Sequence, residues 1–309
     1  MIYVDIVVVN WNCGSLLKKC LASYIDSSSN YLQCNVVISD NGSSDDSLTG
    51  ISGKNLKIVY NNINLGFGEA CNRALPYCKG KYLLLLNPDT ESNLENLERL
   101  VIKMEQHNDF GSIGPSQLNR EAVIQKTCGR FPNLANSVWE LTGLSKVLPK
   151  VFQPSPIMFD WDHSHSKEVD HVMGSYMLIR KSVIDIIGFM DHDYFMYMED
   201  IDFSLRITAA GYRNYYYSDV SIYHEGGGVS KKVKAHRLFY SLNAKMIYWK
   251  KHLKNEYYFL MILGWSIEPL FRTLITILKL DVNEFKETIV AYRMLFKAFM
   301  LKKQTNKKY

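Results

Sequence analysis

The chain of 309 residues is short of the features that mark several protein classes. Its six cysteines, at positions 13, 20, 34, 71, 78 and 128, form no CxxC pair. They fall in apparent helices, strands and scattered loops. Neither a zinc site nor a disulfide framework emerges, and a reducing cytosol is the expected setting. Met1-Ile2-Tyr3-Val4-Asp5 has no basic stretch and no cleavage site, so no secretory signal is expected. No apolar segment offers the ~20 unbroken residues of a spanning helix. The longest, residues 257–280, is interrupted by Glu268, Pro269 and Arg272, and no transmembrane helix is expected there. Strong charge of one sign is missing too: the net +5 gathers after residue 230, too mild and too local for a nucleic-acid binder. Internal repeats and low-complexity tracts are absent. What remains is an apolar fraction of 47% with 22% charged residues, the make-up of a folded globular protein. The length suits one large domain with an appendage, or two small domains.

The most informative stretch present is residues 81–91, KYLLLLNPDTE. Its apolar run is too short for a globular helix and reads as a strand buried on both faces. Pro88 lacks an amide proton and biases Asn87 toward extended geometry, so the strand ends there. Asp89 then stands just past the carboxyl end of a central strand, where open α/β sheets collect ligands. Capping of the following helix is the plainer role for the same residue.

Before this stretch, residues 4–10, 35–39 and 57–60 read as strands. Residues 16–25 and a segment ending at Ala74 have helical spacing, and another helix follows on Leu94, Leu97, Leu100, Val101 and Met104. Strands alternating with helices at this pace mean βαβ units, so the first ~110 residues are expected to form a doubly wound, mostly parallel sheet with helices on both faces. Residues 117–167 read as a long, partly ordered connection of the kind that carries substrate-specific loops. Strand character resumes over residues 172–179, with a short helix over 182–187. A single amphipathic helix is expected over residues 195–211, with Gly211 as its C-cap. An aromatic strand over 212–223 leads to His224 and a run of glycines. After Ser230 lysines interleave with aromatics, and the rest is expected to be helical, ending in a basic tail over 302–309. Such a region suits a membrane interface; packing on the main domain, or a homodimer contact, is the alternative.

Acidic residues gather at strand ends and at one helix start: Asp40 with Asp45 and Asp46, then Asp89, then Glu199, Asp200 and Asp202. Like charges at one sheet edge repel unless a cation or donors offset them. A divalent ion with a diphosphate would do so, because Mg²⁺ or Mn²⁺ needs only one or two carboxylates beside phosphate oxygens and water. His224 is a further candidate ligand. Gly66 and Gly68 open a helix in N-L-G-F-G-E-A-C-N, which permits close backbone approach to a ligand, although this is neither a full GxGxxG nor a P-loop.

Six motifs occur in order: V-x-V-V-N-W-N (residues 4–12), S-D-N-G-S-S-D-x-S (39–47), N-x-G-F-G-x-A-x-N (64–72), L-L-N-P-D (85–89), F-M-Y-M-E-D-I-D-F-x-x-R (195–206) and Y-H-x-G-G (223–227). Each is weak alone; together, over roughly residues 1–250, they make a specific signal. The series resembles the family 2 inverting glycosyltransferases, and within them the bacterial rhamnosyltransferase-like branch that builds surface polysaccharides. The resemblance implies a GT-A type fold over residues 1–230, with a nucleotide-binding half (1–115) and an acceptor-binding half (116–230), followed by a helical, basic-amphipathic region over 231–309. It implies that Val9, Asn10, Asn12 and Asp40 hold the nucleotide, with Gly66, Gly68, Asn72, Arg73, Asn87 and Asp89 along the rest of the sugar nucleotide. The family's DxD metal motif is represented by Asn87-Pro88-Asp89, its first acidic position being Asn. Asp89 and His224 would therefore hold Mg²⁺ or Mn²⁺. Asp200 matches the general base, Glu199 stands second, and Gly174, Asp202 and Arg206 would orient the acceptor side.

The residue types agree with that chemistry. Inversion needs a base opposite the departing nucleoside diphosphate, within hydrogen-bond reach of the acceptor hydroxyl, and a carboxylate can serve. The expected activity is transfer of a sugar, L-rhamnose from dTDP-rhamnose or a hexose from a UDP-sugar, to a lipid-linked or growing glycan. The expected place is the cytoplasmic face of the cell membrane. A sugar-1-phosphate nucleotidylyltransferase would want a Gly-rich, Arg- or Lys-bearing loop after the first strand, which Trp11-Asn12-Cys13-Gly14 does not supply. A non-catalytic carbohydrate-binding subunit is the remaining alternative, against which Asp89 and Asp200 both speak.

Overall fold

A computed structural model of the chain describes residues 1–226 and 234–305, with side chains through residue 300. Gly227, Gly228, Ser230, Lys231, Lys232 and the residues after 305 lie outside the described residues. The described chain divides into two compact units.

The first unit holds residues 1–131, 156–195 and 199 onward through the last strand. It opens with β1 (Ile2–Asn10), α1 (Ser15–Leu21), β2 (Leu32–Asp40), β3 (Leu56–Tyr60), α2 (Phe67–Ala74), β4 (Tyr82–Leu86), β5 (Thr90–Glu91) and α3 (Leu94–Gln106). There follow β6 (Phe110–Leu118), β7 (Ile124–Gln125) and β8 (Cys128–Gly129); the next helices, α4 (Leu134–Leu141) and α5 (Leu144–Val147), belong to the second unit. The first unit resumes with β9 (Lys167–Val169), β10 (His171–Val172), β11 (Tyr176–Arg180), α6 (Lys181–Ile187), α7 (Glu199–Ala209) and β12 (Arg213–His224). The main sheet runs β3-β2-β1-β4-β11-β6-β12-β5, and β8 pairs with β10 in a separate ribbon. Pairs β3–β2, β2–β1, β1–β4 and β6–β12 are parallel, and β11 runs antiparallel to both neighbours.

The alternation of a strand decides which helix it meets. Ile6, Val8, Leu84 and Leu86 share a core with Leu17 and Leu21 of α1 and with Leu97, Leu100 and Val101 of α3. Val7, Leu83 and Leu85 point the other way, onto Cys71 and Ala74 of α2, Val183 of α6 and Phe203 of α7. All five residues of β4 are buried, as its apolar run requires. Helices thus cover both faces of a mostly parallel sheet.

Three expectations need adjusting. β6 is not among the expected strands, because Gly111, Gly114 and Pro115 break its apolar pattern. The two glycines admit close neighbours: a Cβ on Gly114 would lie 2.9 Å from the Val172 side chain, and one on Gly111 2.5 Å from Ile207. Pro115 is tolerated because β11 pairs only with Ser112 and Ile113. The strand expected over 172–179 is two pieces, broken at Met173-Gly174-Ser175. The helix expected from residue 195 starts at Glu199 instead, because Tyr197 and Met198 both have φ of 69°. Two consecutive left-handed non-glycine residues are costly and mark places where the backbone is held for a purpose. Gly211 caps α7 as expected: its N–H bonds to Thr208 and that of Tyr212 to Ile207, the paired pattern of a Schellman turn.

The second unit joins α4 and α5 to α8 (Lys234–His252), α9 (Tyr257–Leu278) and α10 (Val282–Thr305). Trp249 donates to Ser137 at 3.2 Å, and Lys245 pairs with Glu140, whose carboxylate also accepts the Ser155 N–H at 2.7 Å. Gly143 lies flat under the Phe271 ring, 1.9 Å from where a Cβ would stand. The residues expected to interrupt the apolar run after 257 do not end it. Glu268 and Arg272 pair within the helix (2.8 Å), and α9 continues through Pro269 for 22 residues. By length and composition it could cross a membrane, with 28% of its most apolar window buried.

Candidate active site

The carboxyl ends of β1, β2 and β4 share one edge of the sheet, and register brings their terminal residues together. Asn10 and Asp40 face each other across β1 and β2, and the Asn10 amide donates to Asp40 at 2.7 Å. Val9, opposite Ser39, is the residue before that pair. Asn10 also donates to Ser43 and Ser47, and Asp40 accepts the Ser43 N–H at 3.2 Å. Asn12 sits at φ 52° and accepts the Ser44 N–H at 2.8 Å, while Asp45 accepts that of Gly14 at 2.9 Å. Side chains of 40–47 therefore fold back over the end of β1 and fix the loop. Ser43 and Ser47 stand within the motif of residues 39–47, but only the structure displays their part in it.

Asn41 ties this loop to the next: its side chain donates to the Gly66 carbonyl at 3.0 Å. Gly66, at φ 85°, passes so close to Phe195 that a Cβ would fall 2.0 Å from its carbonyl oxygen, and Phe67 donates to that same oxygen at 2.9 Å. No other residue type fits. Gly68 packs against Met190 and the Glu199 side chain. Asn72 spends its amide on the Met190 backbone, donating to the carbonyl (2.8 Å) and accepting the N–H (3.1 Å). Arg73 is largely exposed and pairs with Glu69.

The other wall is assembled by a relay of backbone bonds. Asn87, at the end of β4, donates its N–H to the Ser175 carbonyl at 2.9 Å. One residue earlier, Gly174 donates its N–H to Asp200 at 3.0 Å, and a Cβ at 174 would stand 3.4 Å from that of Asp200. Two residues beyond Asn87, Asp89 lies 3.3 Å from His224, at the end of β12; both side chains are about nine-tenths buried. Glu225 returns its N–H to the Asp89 carbonyl. Asp200, Asp89 and His224 are thereby strung on one short path through Gly174, Ser175 and Asn87. Gln117, on the unforeseen β6, braces Ser175 through paired side-chain bonds of 2.9 and 3.0 Å. Nothing in the sequence marks that buried pair.

The electrostatics agree. Burial pushes the Cys13 thiol up to about 11 against the opposing hydrogen bond to the Trp11 carbonyl, and the negative charges of Asp89, Asp45 and Asp40 add to the rise. Burial and the adjacent Asp200 push Glu199 up to about 8, and its Oε2 has no hydrogen-bond partner among the described residues. Burial and Asp200 thus favour the protonated form of Glu199, and Asp200 is the member of the pair with both oxygens on backbone N–H groups, of Gly174 and Ile201. Asp202 and Arg206 face elsewhere. Asp202 is 1% exposed and pairs with Arg206 at 2.9 Å, and Arg206 also donates to the carbonyls of Ile187 and Phe189.

Whether a divalent cation fits can be tested on the donors present. No cluster of three or more His, Cys, Asp or Glu residues forms a ligand cage among the described residues. Asp89 and His224 supply a carboxylate and an imidazole side by side, and the buried His224 Nδ1 has no partner among the described residues. That pair fits an ion which takes its remaining ligands from phosphate and water, the usual habit of Mg²⁺ and Mn²⁺.

Comparison with known proteins follows the same lines. The family model described as Glycosyl transferase family 2 matches residues 5–184. An N-acetylglucosaminyl-diphospho-decaprenol L-rhamnosyltransferase of Mycobacterium tuberculosis is 25% identical over 71% of this chain and 75% of its own. The rhamnosyltransferase WbbL of Escherichia coli K12 is 30% identical over 49% of this chain and 57% of its own. Among solved structures, the mannosyltransferase PcManGT of Pyrobaculum calidifontis, in complex with GDP-Man and Mn²⁺, superposes with a TM-score of 0.54 at 14% identity, covering 99% of this chain and 80% of that one. GalNAc-T7 with UDP, GalNAc and Mn²⁺ gives 0.55 at 14% identity, covering 72% of this chain and 44% of that one. These neighbours share the GT-A fold expected from the motifs. With more than half of its residues matched by the family model, the chain belongs to glycosyl transferase family 2 and is a rhamnosyltransferase-like glycosyltransferase.

Proposed function

We propose that this glycosyltransferase moves a sugar, with inversion, from a nucleoside diphosphate donor to a lipid-linked or growing surface glycan. L-Rhamnose from dTDP-rhamnose is the first choice and a hexose from a UDP-sugar the second. The setting is the cytoplasmic face of the cell membrane. The observation that carries the reading is the path joining Asp200 to Asp89 and His224 through Gly174, Ser175 and Asn87. The relatives named for rhamnosyl transfer to a decaprenol-linked sugar support the choice of donor and acceptor class.

In this reading the Asn10–Asp40 corner and the Asn12 turn receive the nucleotide. Gly66 and Gly68 let the chain pass close to the diphosphate, with Asn72 and Arg73 farther along α2. Asn87 and Asp89 lie beneath the diphosphate. Asp89 and His224 would hold Mg²⁺ or Mn²⁺, which would supply Lewis-acid chemistry to offset charge on the leaving group. Asp200 takes the proton of the acceptor hydroxyl as it attacks the anomeric carbon. The Gly174 N–H fixes that carboxylate while leaving lone pairs open. Neutral Glu199 spares the site a second buried charge. Arg206 acts at a distance: paired with Asp202, it pins the segment over 187–189 against α7.

The second unit supports membrane contact. On α9, Tyr258, Ile262, Leu270, Leu274 and Leu278 are exposed apolar residues, with Lys254 before the helix and Lys279 after it. Such a helix can lie in a bilayer interface.

A panel of sugar nucleotides tests the proposal. Release of nucleoside diphosphate with one donor, increased by a lipid-linked glycan, is the expected outcome. Pyrophosphate release from a sugar-1-phosphate and a nucleoside triphosphate would instead indicate a nucleotidylyltransferase, and silence with every donor a non-catalytic carbohydrate-binding subunit.

A further inference from the structure

The two branches of the site, Asp200 on one side and Asp89 with His224 on the other, meet a common neighbour in the β6–β7 hairpin. Gln117 of β6 and Gln125 of β7 stand opposite each other in its register. Each spends its side chain on one branch. The Gln117 amide, buried with its residue 2% exposed, closes both ends on the Ser175 hydroxyl, donating at 2.9 Å and accepting at 3.0 Å. Ser175 is the joint between Asn87 and Gly174, and the Gly174 N–H holds Asp200. The Gln125 amide donates to the His224 carbonyl at 2.6 Å.

Strand pairing explains why side chains are needed here. β11 pairs with β6 only at Ser112 and Ile113, so backbone pairing between them ends before the segment over 173–175. β12 leaves β6 at Tyr223, opposite Leu118, and His224 lies one residue beyond. Its backbone is held by pairing with Thr90 of β5 and by Gln125. Arg120, in the turn of the hairpin, bonds the Tyr223 hydroxyl and Glu225, but it is exposed and contributes little. Glutamine suits the task. Its amide carries donors and an acceptor without charge, so it fixes a neighbour and adds nothing to the field of Asp89, Glu199 and Asp200.

We infer that Gln117 and Gln125 are positioning residues: Gln117 sets the Asp200 carboxylate through Ser175, and Gln125 sets His224 beside Asp89. One hairpin thereby fixes the base and the metal corner relative to each other. The roles given to Asp200, Asp89 and His224 rest on the function proposed above; the bonds of the hairpin to both branches do not.

The two glutamines should fail differently. Turnover is read on the full-length protein as nucleoside diphosphate release from dTDP-rhamnose or UDP-glucose with a lipid-linked glycan acceptor. Donor affinity is read by calorimetry with and without Mn²⁺. Gln117→Leu and Ser175→Ala should each lower kcat by ~10-fold or more, as misplacement of a reacting group does, with donor affinity within about twofold of wild type. The double variant strands no buried polar group, so it should return to wild-type stability in urea yet keep the low kcat of the single variants. Gln125→Leu should instead weaken donor binding with Mn²⁺ by ~10-fold, the cost of losing a bond behind a metal ligand, and leave metal-free binding unchanged. Wild-type kcat in the double variant would make Gln117 a merely stabilising residue and overturn the inference. Equal losses of kcat and donor affinity in both glutamine variants would overturn it too. Asp200→Asn separates the inference from the reading beneath it. Turnover lost there but kept in the double variant removes the positioning role alone, whereas turnover kept in Asp200→Asn removes both.

Discussion

In the first unit Asp202 is buried against Arg206; in the second Glu140 is buried against Lys245. Both carboxylates are satisfied. Asp202 and Arg206 tie α7 to the segment over 187–189, and Glu140 and Lys245 tie α4 to α8. The contrast lies in the polar atoms left over. In the first unit Asn10 Oδ1, Glu199 Oε2 and His224 Nδ1, all of the candidate active site, are buried without partners among the described residues, as are atoms of Ser116, His171 and Ser204 away from it. In the second unit the corresponding atoms include Glu268 Oε2 and the Tyr292 hydroxyl. Asp202 and Glu140 thus come with charged partners, whereas Glu199 and His224 at the candidate site each keep a buried polar atom without one among the described residues.

The largest effects should come from breaking the paired acids. Arg206→Met strands a buried carboxylate, and Lys245→Met does the same in the other unit. Each should lower stability in urea by about 3–5 kcal/mol. Losses under about 1 kcal/mol, the range of exposed pairs, would remove the distinction between structural and functional acids. Next comes the metal corner. Asp89→Ala should weaken Mn²⁺-dependent donor binding by on the order of 10–100-fold, a span typical of damage to a metal site. Calorimetry without metal should give wild type and variant the same affinity; equal affinity with metal present would refute the assignment of Asp89.

A smaller effect separates the two kinds of acid by pH. Burial pushes the Glu140 carboxyl up, but Lys245 and Ser155 outweigh it and hold the group below the usual carboxylate range. Its contribution is therefore present at neutral pH and lost as pH falls through its folded pKa. Glu199 behaves oppositely. Burial and the adjacent Asp200 raise its folded pKa above that of the unfolded chain, whose Glu titrates near ~4.3. Folding takes up a proton, so this residue lowers stability as pH rises between those two values. Glu199→Gln should accordingly gain on wild type from pH 5 to pH 8 in denaturation curves. Parallel pH profiles would mean that Glu199 is ionised in the fold.

How much was legible follows from which forces write themselves into the chain. The parallel half could be read because β1, β2 and β4 are runs of apolar or β-branched residues buried on both faces. β6 could not, since Gly111, Gly114 and Pro115 serve close approach to Val172 and α7 rather than a pattern. α7 starts four residues later than its spacing predicts, because left-handed Tyr197 and Met198 carry no composition signal. Glu268 and Arg272 looked like breaks and turned out to pair across one helical turn. At the site, Asp40, Asp89, Glu199, Asp200 and His224 were visible as residues in motifs. Their joining through Ser175, Gln117 and backbone bonds depends on strand register, which periodicity does not encode.

The central claim is that Asp200 stands at the sheet edge as the base, apart from donor binding. Asp200→Asn should keep donor affinity, measured calorimetrically with Mn²⁺, within about twofold of wild type, while turnover with an acceptor falls by ~100-fold or more. Equal loss of donor affinity and turnover would make Asp200 a structural residue of the site and contradict the account.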